Sequence, residues 1–205
     1  TCPLMRIHPA IVAQAAATAA VLLEGRFFLG VGTGELLNEH VTAPRWPAPE
    51  IRQDMLREAV TLMRRLWTGE TVDHAGRYYT VENARLFTHP EEPPEVVVSA
   101  FGPKAAQLAG ELGGGLWNTS PDADIVEVYA GAGGSGRRVA QVTVCWAERA
   151  EDAVDTVLRQ WPNVAIPGPL SQDLPTWSHF EAAASLVTRE QVAAAMPCGP
   201  DPEPV

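Results

Sequence analysis

The sequence predicts an α/β fold built on a parallel sheet. Short apolar runs ending in glycine or polar residues alternate with stretches of helical spacing, and strand followed by helix recurs four times, with inserts. The run Arg26-Phe27-Phe28-Leu29-Gly30-Val31-Gly32-Thr33-Gly34-Glu35 is the clearest of these. It is too short for a helix and is bounded by turn residues, so it reads as a buried strand. Its glycines let a ligand approach the backbone, and Glu35 falls just past the strand's carboxyl end, where parallel α/β folds place their chemistry. Taken alone, the same residues also make a plain glycine turn with an exposed Glu35.

The elements follow in order. Pro9 suits the first turn of a helix running to about Leu23, with His8 as a turn residue before it. Gly25 stops that helix ahead of the central strand. Leu36 to Trp46, with Asn38, Glu39, His40, Pro44 and Pro47, reads as a loop. Glu39-His40 lacks the second ligand pair that a metal site needs, and no metal is expected. Glu50 to Trp67 has a wide apolar stripe at helical spacing, and Gly69 ends it. Thr71 to Val81 reads as two short strands around a turn at Ala75-Gly76, with His74 a polar hairpin residue.

Glu95 to Ala100 is a second buried strand, rich in β-branched residues. Phe101-Gly102-Pro103-Lys104 then opens a helix through Leu112. Free N–H groups at a helix amino end bind phosphate, and Lys104 adds positive charge, so this is the best anion site in the chain. A simple strand-to-helix turn is the competing reading. Leu116 to Ser120 is a third strand, and Pro121-Asp122-Ala123-Asp124 starts a helix to about Ala130. Gly131-Ala132-Gly133-Gly134-Ser135-Gly136 matches G-x-G-x-x-G in letters only. A helix precedes it and a strand, Val139 to Ala147, follows, the reverse of a dinucleotide loop. Ala150 to Trp161 is helical, Pro162 to Pro175 irregular, and Phe180 to Val187 helical. Thr188 and Gln191 form a capping box for a last helix.

Composition narrows the function classes. The 205 residues fit one domain or a large piece of one, and 46% apolar content is enough for a core. A net charge of −10 without any basic run argues against a nucleic-acid surface. Cys2, Cys145 and Cys198 show no paired spacing and read as reduced thiols. No run is long or apolar enough to span a membrane, and no secretory signal is visible, so the cytoplasm is the expected location. The opening Thr1-Cys2-Pro3 and the closing proline-rich stretch give the expectation of a piece of a larger barrel.

Several stretches, in this order and spacing, carry a resemblance. They are Thr1-Cys2-Pro3, His8-Pro9-Ala10, Gly32-Thr33-Gly34-Glu35 with Asn38-Glu39, Trp46-Pro47, Leu66-Trp67 with Gly69, Gly76 with Tyr78-Tyr79, and Ser99-Ala100 with Gly102-Pro103. Together they resemble the luciferase-like flavin and deazaflavin oxidoreductases, nearest the deazaflavin (coenzyme F420) glucose-6-phosphate dehydrogenase branch. The resemblance implies a (β/α)8 TIM barrel with its site at the carboxyl ends of the strands. Residues 1–205 would be a single partial barrel holding about strands four to seven, without the first three strands or the eighth. The family's early-strand histidine and aspartate would then lie outside it.

The resemblance implies hydride transfer between an alcohol or sugar-type substrate and the deazaflavin ring. Glu35 matches the acid/base carboxylate beside that ring, and burial there would raise its pKa. Cys2, Thr33, Gly34, Asn38, Phe101, Gly102, Lys104 and Ala105 match cofactor-contacting positions, and Thr119 matches a sugar-contacting one. Cys2 replaces a hydroxyl residue of that branch and Phe101 a glycine. Its phosphate-gripping lysines fall near Asp122 and Ala182, so glucose 6-phosphate is a poor expectation. The implied partners are a small-molecule substrate and a second copy in a homodimer, with neither nucleic acid nor membrane. An FMN monooxygenase on the same barrel, and an inactive barrel piece with an exposed sheet edge, are the alternatives.

Overall fold

The structure is a computed structural model describing residues 1–42, 45–168 and 170–195. Pro44, Cys198 and the turn at 199–205 fall outside the described residues. The chain divides into two compact units: Thr1–Gly34 with Thr42–Gln141, and Glu35–Val41 with the chain from Val142 onward.

The first unit holds a parallel sheet. Its strands are β1 (Cys2–Pro3), β2 (Phe28–Gly32), β5 (Glu95–Ser99), β6 (Gly115–Asn118) and β7 (Arg138–Ala140), paired in the order β1-β2-β5-β6-β7. Every pair is parallel, with Val31 opposite Cys2 and Val98, and Trp117 opposite Ser99 and Val139. Spatial order follows chain order with no reversal. That is winding in one direction, as in a barrel, and not the doubly wound arrangement. The antiparallel pair β3 (Val72–Ala75) and β4 (Thr80–Ala84) forms its own small sheet.

Alternation along the strands separates two faces. Leu29, Val31, Val96, Val98, Ala100 and Leu116 join the main core with helices α1 (Pro9–Leu22), α3 (Pro49–Leu66) and α4 (Pro103–Glu111). In α3, Leu56, Ala59, Val60, Leu62, Met63 and Leu66 are buried. Full burial of each large side chain among them contributes about 1.5–3 kcal/mol. Trp67, just past α3, donates its indole N–H to the Ala13 carbonyl of α1 at 2.9 Å. On the other face Phe28 meets Trp117 with ring centroids 6.5 Å apart, and small residues crowd together. A Cβ on Gly32 would lie 3.4 Å from the Ser99 Cβ and 3.5 Å from the Thr1 hydroxyl.

The hairpin is tied down by one carboxylate. Glu58 of α3 accepts the N–H groups of Arg77, Tyr78 and Tyr79 and contacts His74 Nε2 at 3.2 Å. His74 is therefore more than a polar turn residue. The Tyr79 hydroxyl adds a 2.7 Å bond to the Leu4 carbonyl. The glycine run after α5 (Ala123–Gly131) is also structural. It leads from a helix to β7, and a side chain on Gly134 would overlap the ring of Tyr129, whose hydroxyl bonds the Gly114 carbonyl at 2.7 Å.

In the second unit, α2 (Leu36–Glu39) packs against α7 (Leu170–Asp173), and α6 (Ala150–Gln160) against α9 (Arg189–Ala195). The 3₁₀ turn Pro162–Ala165 touches α8 (Trp177–Ala184) and α9. The capping box forms: Thr188 N–H donates to Gln191 Oε1 at 2.8 Å, and Gln191 N–H to Thr188 Oγ1 at 3.3 Å. Among the described residues no helix is long and apolar enough to cross a membrane.

Three expectations need correction, and one element was not foreseen. Leu36–Glu39 is a short helix inside the stretch read as loop, and Cys2–Pro3 is an unforeseen edge strand. The last strand stops at Ala140 instead of Ala147, leaving Val144 and Trp146 more than four-fifths exposed. Pro162 to Pro175 contains the 3₁₀ turn and α7.

Candidate active site at the carboxyl rim

Parallel pairing brings the carboxyl ends of β1, β2, β5, β6 and β7 to one rim of the sheet. Thr33-Gly34, Ala100 to Ala105, and Thr119-Ser120 all leave that rim. Gly34 has φ +77°, a left-handed conformation that side chains resist, so its glycine is a backbone requirement. Thr33 is half-buried.

At the β5–α4 turn, Ala100 N–H still donates to the Trp117 carbonyl at 2.9 Å, extending the sheet by one residue. Phe101 is about half exposed, at 51%. Gly102 is the N-cap of α4 and gives it no side-chain hydrogen bond; Pro103 follows at the first helical position. Gly102 is extended, and a Cβ there would meet nothing within 4 Å. The N–H groups of Lys104 and Ala105 therefore head a helix whose own residues place no carboxylate in its first turn. This donor set fits a phosphate-type anion. Lys104 is exposed, and its Nζ lies 3.0 Å from Oε1 of Glu50. Ala105 packs partly against the core.

The β6–α5 turn is finished differently. The buried Asn118 side chain accepts Ser120 N–H at 3.2 Å, and the Asp122 carboxylate caps α5 by accepting Ile125 N–H at 3.2 Å. Thr119, between them, is exposed.

Glu35 and Asn38 belong to the second unit. Glu35 follows Gly34 in the chain and is the N-cap residue of α2, in extended conformation and without a side-chain cap bond. Asn38 Nδ2 donates to Glu35 Oε2 at 3.5 Å, the long limit of such a bond. Glu35 is exposed in this structure, contrary to the expected burial. The buried acid is Glu39, one turn on, at 1% exposure. Cys2 is half-buried, packs against the main core and stands opposite Val31.

Two residues were not singled out from the sequence. Glu50 could be read only as an acid in a first helical turn; its partner is 54 residues away. Asn118 looked like one polar residue among several at a strand end. Among the described residues no group of His, Cys, Asp or Glu could hold a metal ion. A hollow of about 710 Å³ lined by Glu24, His89, Glu95 and Arg137 opens where β2, β5 and β7 begin, at the rim opposite Gly102. In singly wound parallel folds that rim serves stability, and we place no chemistry there.

Residues 1–205 match the family described as luciferase-like monooxygenase. The chain belongs to that family. Its parallel sheet is thus part of a luciferase-like (β/α)8 barrel. Among curated relatives it is 43% identical over 142 residues to the F420-dependent hydroxymycolic acid dehydrogenase of Mycobacterium tuberculosis, covering 67% of this chain and 39% of that one. It is 35% identical over 216 residues to the F420-dependent glucose-6-phosphate dehydrogenase of Nocardia farcinica, covering 98% and 64%. A solved F420-dependent secondary alcohol dehydrogenase, in complex with an F420-acetone adduct, superposes with a TM-score of 0.75 at 29% identity, over 96% of this chain and 66% of that one. The chain spans less than two thirds of the length of these two curated relatives.

Proposed function

We propose that this luciferase-like chain forms the cofactor rim of a coenzyme F420-dependent oxidoreductase acting on an alcohol or carbonyl substrate. The remaining barrel strands and the family's histidine would come from sequence outside these residues. The observation that carries the reading is the β5–α4 turn: a helix amino end without a cap of its own, on the rim where such barrels work, in a chain whose relatives bear F420-dependent names. When bound, the deazaflavin supplies the hydride acceptor.

The residues of this chain do the rest. The N–H groups of Lys104 and Ala105, with the Lys104 ammonium, hold an anionic group of the cofactor. Gly34 and Gly102 keep side chains out of the way of a flat ring, and Thr33, Cys2 and Phe101 border it. The Glu35 carboxylate oxygens hold or release the proton that balances the redox step, and Asn38 orients them. Thr119 contacts the substrate. With Asp122 and Asp124 at the start of α5, a phosphorylated sugar would meet negative charge, so the substrate is one without a phosphate. A cytoplasmic homodimer completes the reading.

Purified full-length protein titrated with F420 tests it by quenching of cofactor fluorescence. Glu35→Gln should leave that binding within about twofold and lower turnover of a secondary alcohol by roughly 10²–10⁴. Copurification of yellow FMN in place of F420, or binding of neither, would overturn the proposal.

A further inference from the structure

Two stretches far apart in the chain, His8-Pro9 and Gly76 with Tyr78-Tyr79, meet within the first unit. The rings of His8 and Tyr79 make a T-shaped pair with centroids 5.6 Å apart. His8 is the N-cap of α1, its Nδ1 accepting the Ala10 N–H at 3.2 Å. The Tyr79 hydroxyl donates at 2.7 Å to the carbonyl of Leu4, the buried residue that follows β1. One side chain therefore holds both ends of the turn that leads from the rim into α1. Gly76 serves the same arrangement: a Cβ there would overlap the Glu58 carboxylate and the His74 ring, on which the hairpin turn closes. Burial, and then the Glu58 charge, push the Tyr79 phenol above its usual 10, so the hydroxyl keeps its proton and stays a donor.

We propose that Tyr79 is a positioning residue for the cofactor: it fixes where β1 ends on the carboxyl rim. This rests on the reading of that rim as the cofactor's site, and takes nothing from the α4 turn. β1 stops pairing with β2 after Pro3, which stands opposite Gly32. On the face that carries Phe28 and Trp117, Thr1 lies over Gly30 and Gly32, where added Cβ atoms would come within 3.4 and 3.5 Å of its side chain. The two glycines give Thr1 nothing to lock against, so on this face backbone pairing alone resists a shift of β1. The shift is stopped at Leu4. Without the Tyr79 hydroxyl its carbonyl would be buried and short of a partner, and the turn would move toward water, taking Cys2 and Pro3 with it. The Tyr79 ring is part of the main core, so its grip does not depend on the bonds that Glu58 makes to the hairpin.

The test follows three properties of the full-length protein: F420 affinity by fluorescence quenching, the rate at which a maleimide alkylates Cys2 (resolved from other cysteines by peptide mass spectrometry), and melting temperature. Tyr79→Phe keeps the ring and removes the hydroxyl. It should speed Cys2 alkylation about threefold or more and weaken F420 binding about three- to tenfold. His8→Asn keeps a cap for α1 and removes the ring contact, so both properties should move the same way by less. Glu58→Ala is the structural control: it should lower the melting temperature more than either, yet leave Cys2 alkylation and F420 affinity within about twofold of the parent. Cys2 rates and affinities that simply follow melting temperature across these variants overturn the proposal, as do parent-like values in Tyr79→Phe. Faster Cys2 alkylation with unchanged F420 affinity also overturns it, because Tyr79 would then hold a strand that does not border the cofactor. If the parent binds no F420, the proposed function fails instead, and the Cys2 rates alone still decide whether Tyr79 holds β1.

Discussion

Two neighbouring turns on the same rim solve the same problem in opposite ways. After β6, the chain closes its helix end with its own side chains: Asn118 accepts one N–H and Asp122 another. After β5, glycine and proline occupy the equivalent places, and the helix is left without a side-chain cap. An amino end without a cap forgoes about 0.5–2 kcal/mol that a Ser, Thr, Asn or Asp would supply. One turn is thus finished for stability. The other keeps a donor set available to a ligand.

The contrast can be broken or sharpened by substitution. The largest expected effect is at a control site away from both turns. Glu58→Ala would strip partners from three hairpin N–H groups and from His74, and should cost about 2–3 kcal/mol, read as a lower denaturation midpoint with little change in cofactor affinity. The same carboxylate predicts a pH dependence. Burial pushes Glu58 up, but the Tyr79 N–H, His74 and the Tyr78 N–H outweigh it and hold it below 4.5. A depressed folded pKa contributes stability above the unfolded value that is lost as pH falls through the folded one. Stability should therefore decline below about pH 4.5, and Glu58→Gln should flatten that decline.

Next is Gly102→Asp. The position is extended and open, so the new carboxylate can cap α4 without strain. Thermal stability should hold or rise by up to about 1 kcal/mol, while F420 affinity falls roughly tenfold or more. Equal affinity would mean that the two turns do not differ in function. Asp122→Ala should do the reverse, losing about 1 kcal/mol of stability with F420 binding unchanged. Asp122→Asn is the mildest. It preserves the cap to within a few tenths of a kcal/mol while removing the charge, so any gain in glucose 6-phosphate turnover isolates repulsion from capping. A lysine at this position would mix the two effects.

How much of this was readable from the residues depended on the range of the forces involved. β2, β5 and β6 were legible because each is an apolar run bounded by turn residues. The capping box at Thr188 was legible because its partners are three residues apart. The edge strand Cys2–Pro3 has too few residues to show a period. Val142 to Trp146 alternates like a strand, yet β7 ends at Ala140, since alternation reports a preference for a sheet and not the presence of a neighbour. At the site, glycines and prolines marked the β5–α4 turn. The Glu50–Lys104 pair could not be marked that way, because nothing in either segment names the other. The expected burial of Glu35 failed for a related reason: position after a strand places a residue at a rim but does not say what covers it.

The emptiness around Gly102 gives the molecule an internal gauge of selection. Nothing in the surrounding packing penalises a larger residue there, whereas Gly134, wedged against Tyr129, tolerates none. In a library of all single variants, changes at 134 should deplete both cellular abundance and activity, while changes at 102 should leave abundance alone. If Gly102 borders the cofactor as proposed, whatever pattern of loss then remains at 102 is the imprint of that ligand, written without contribution from folding.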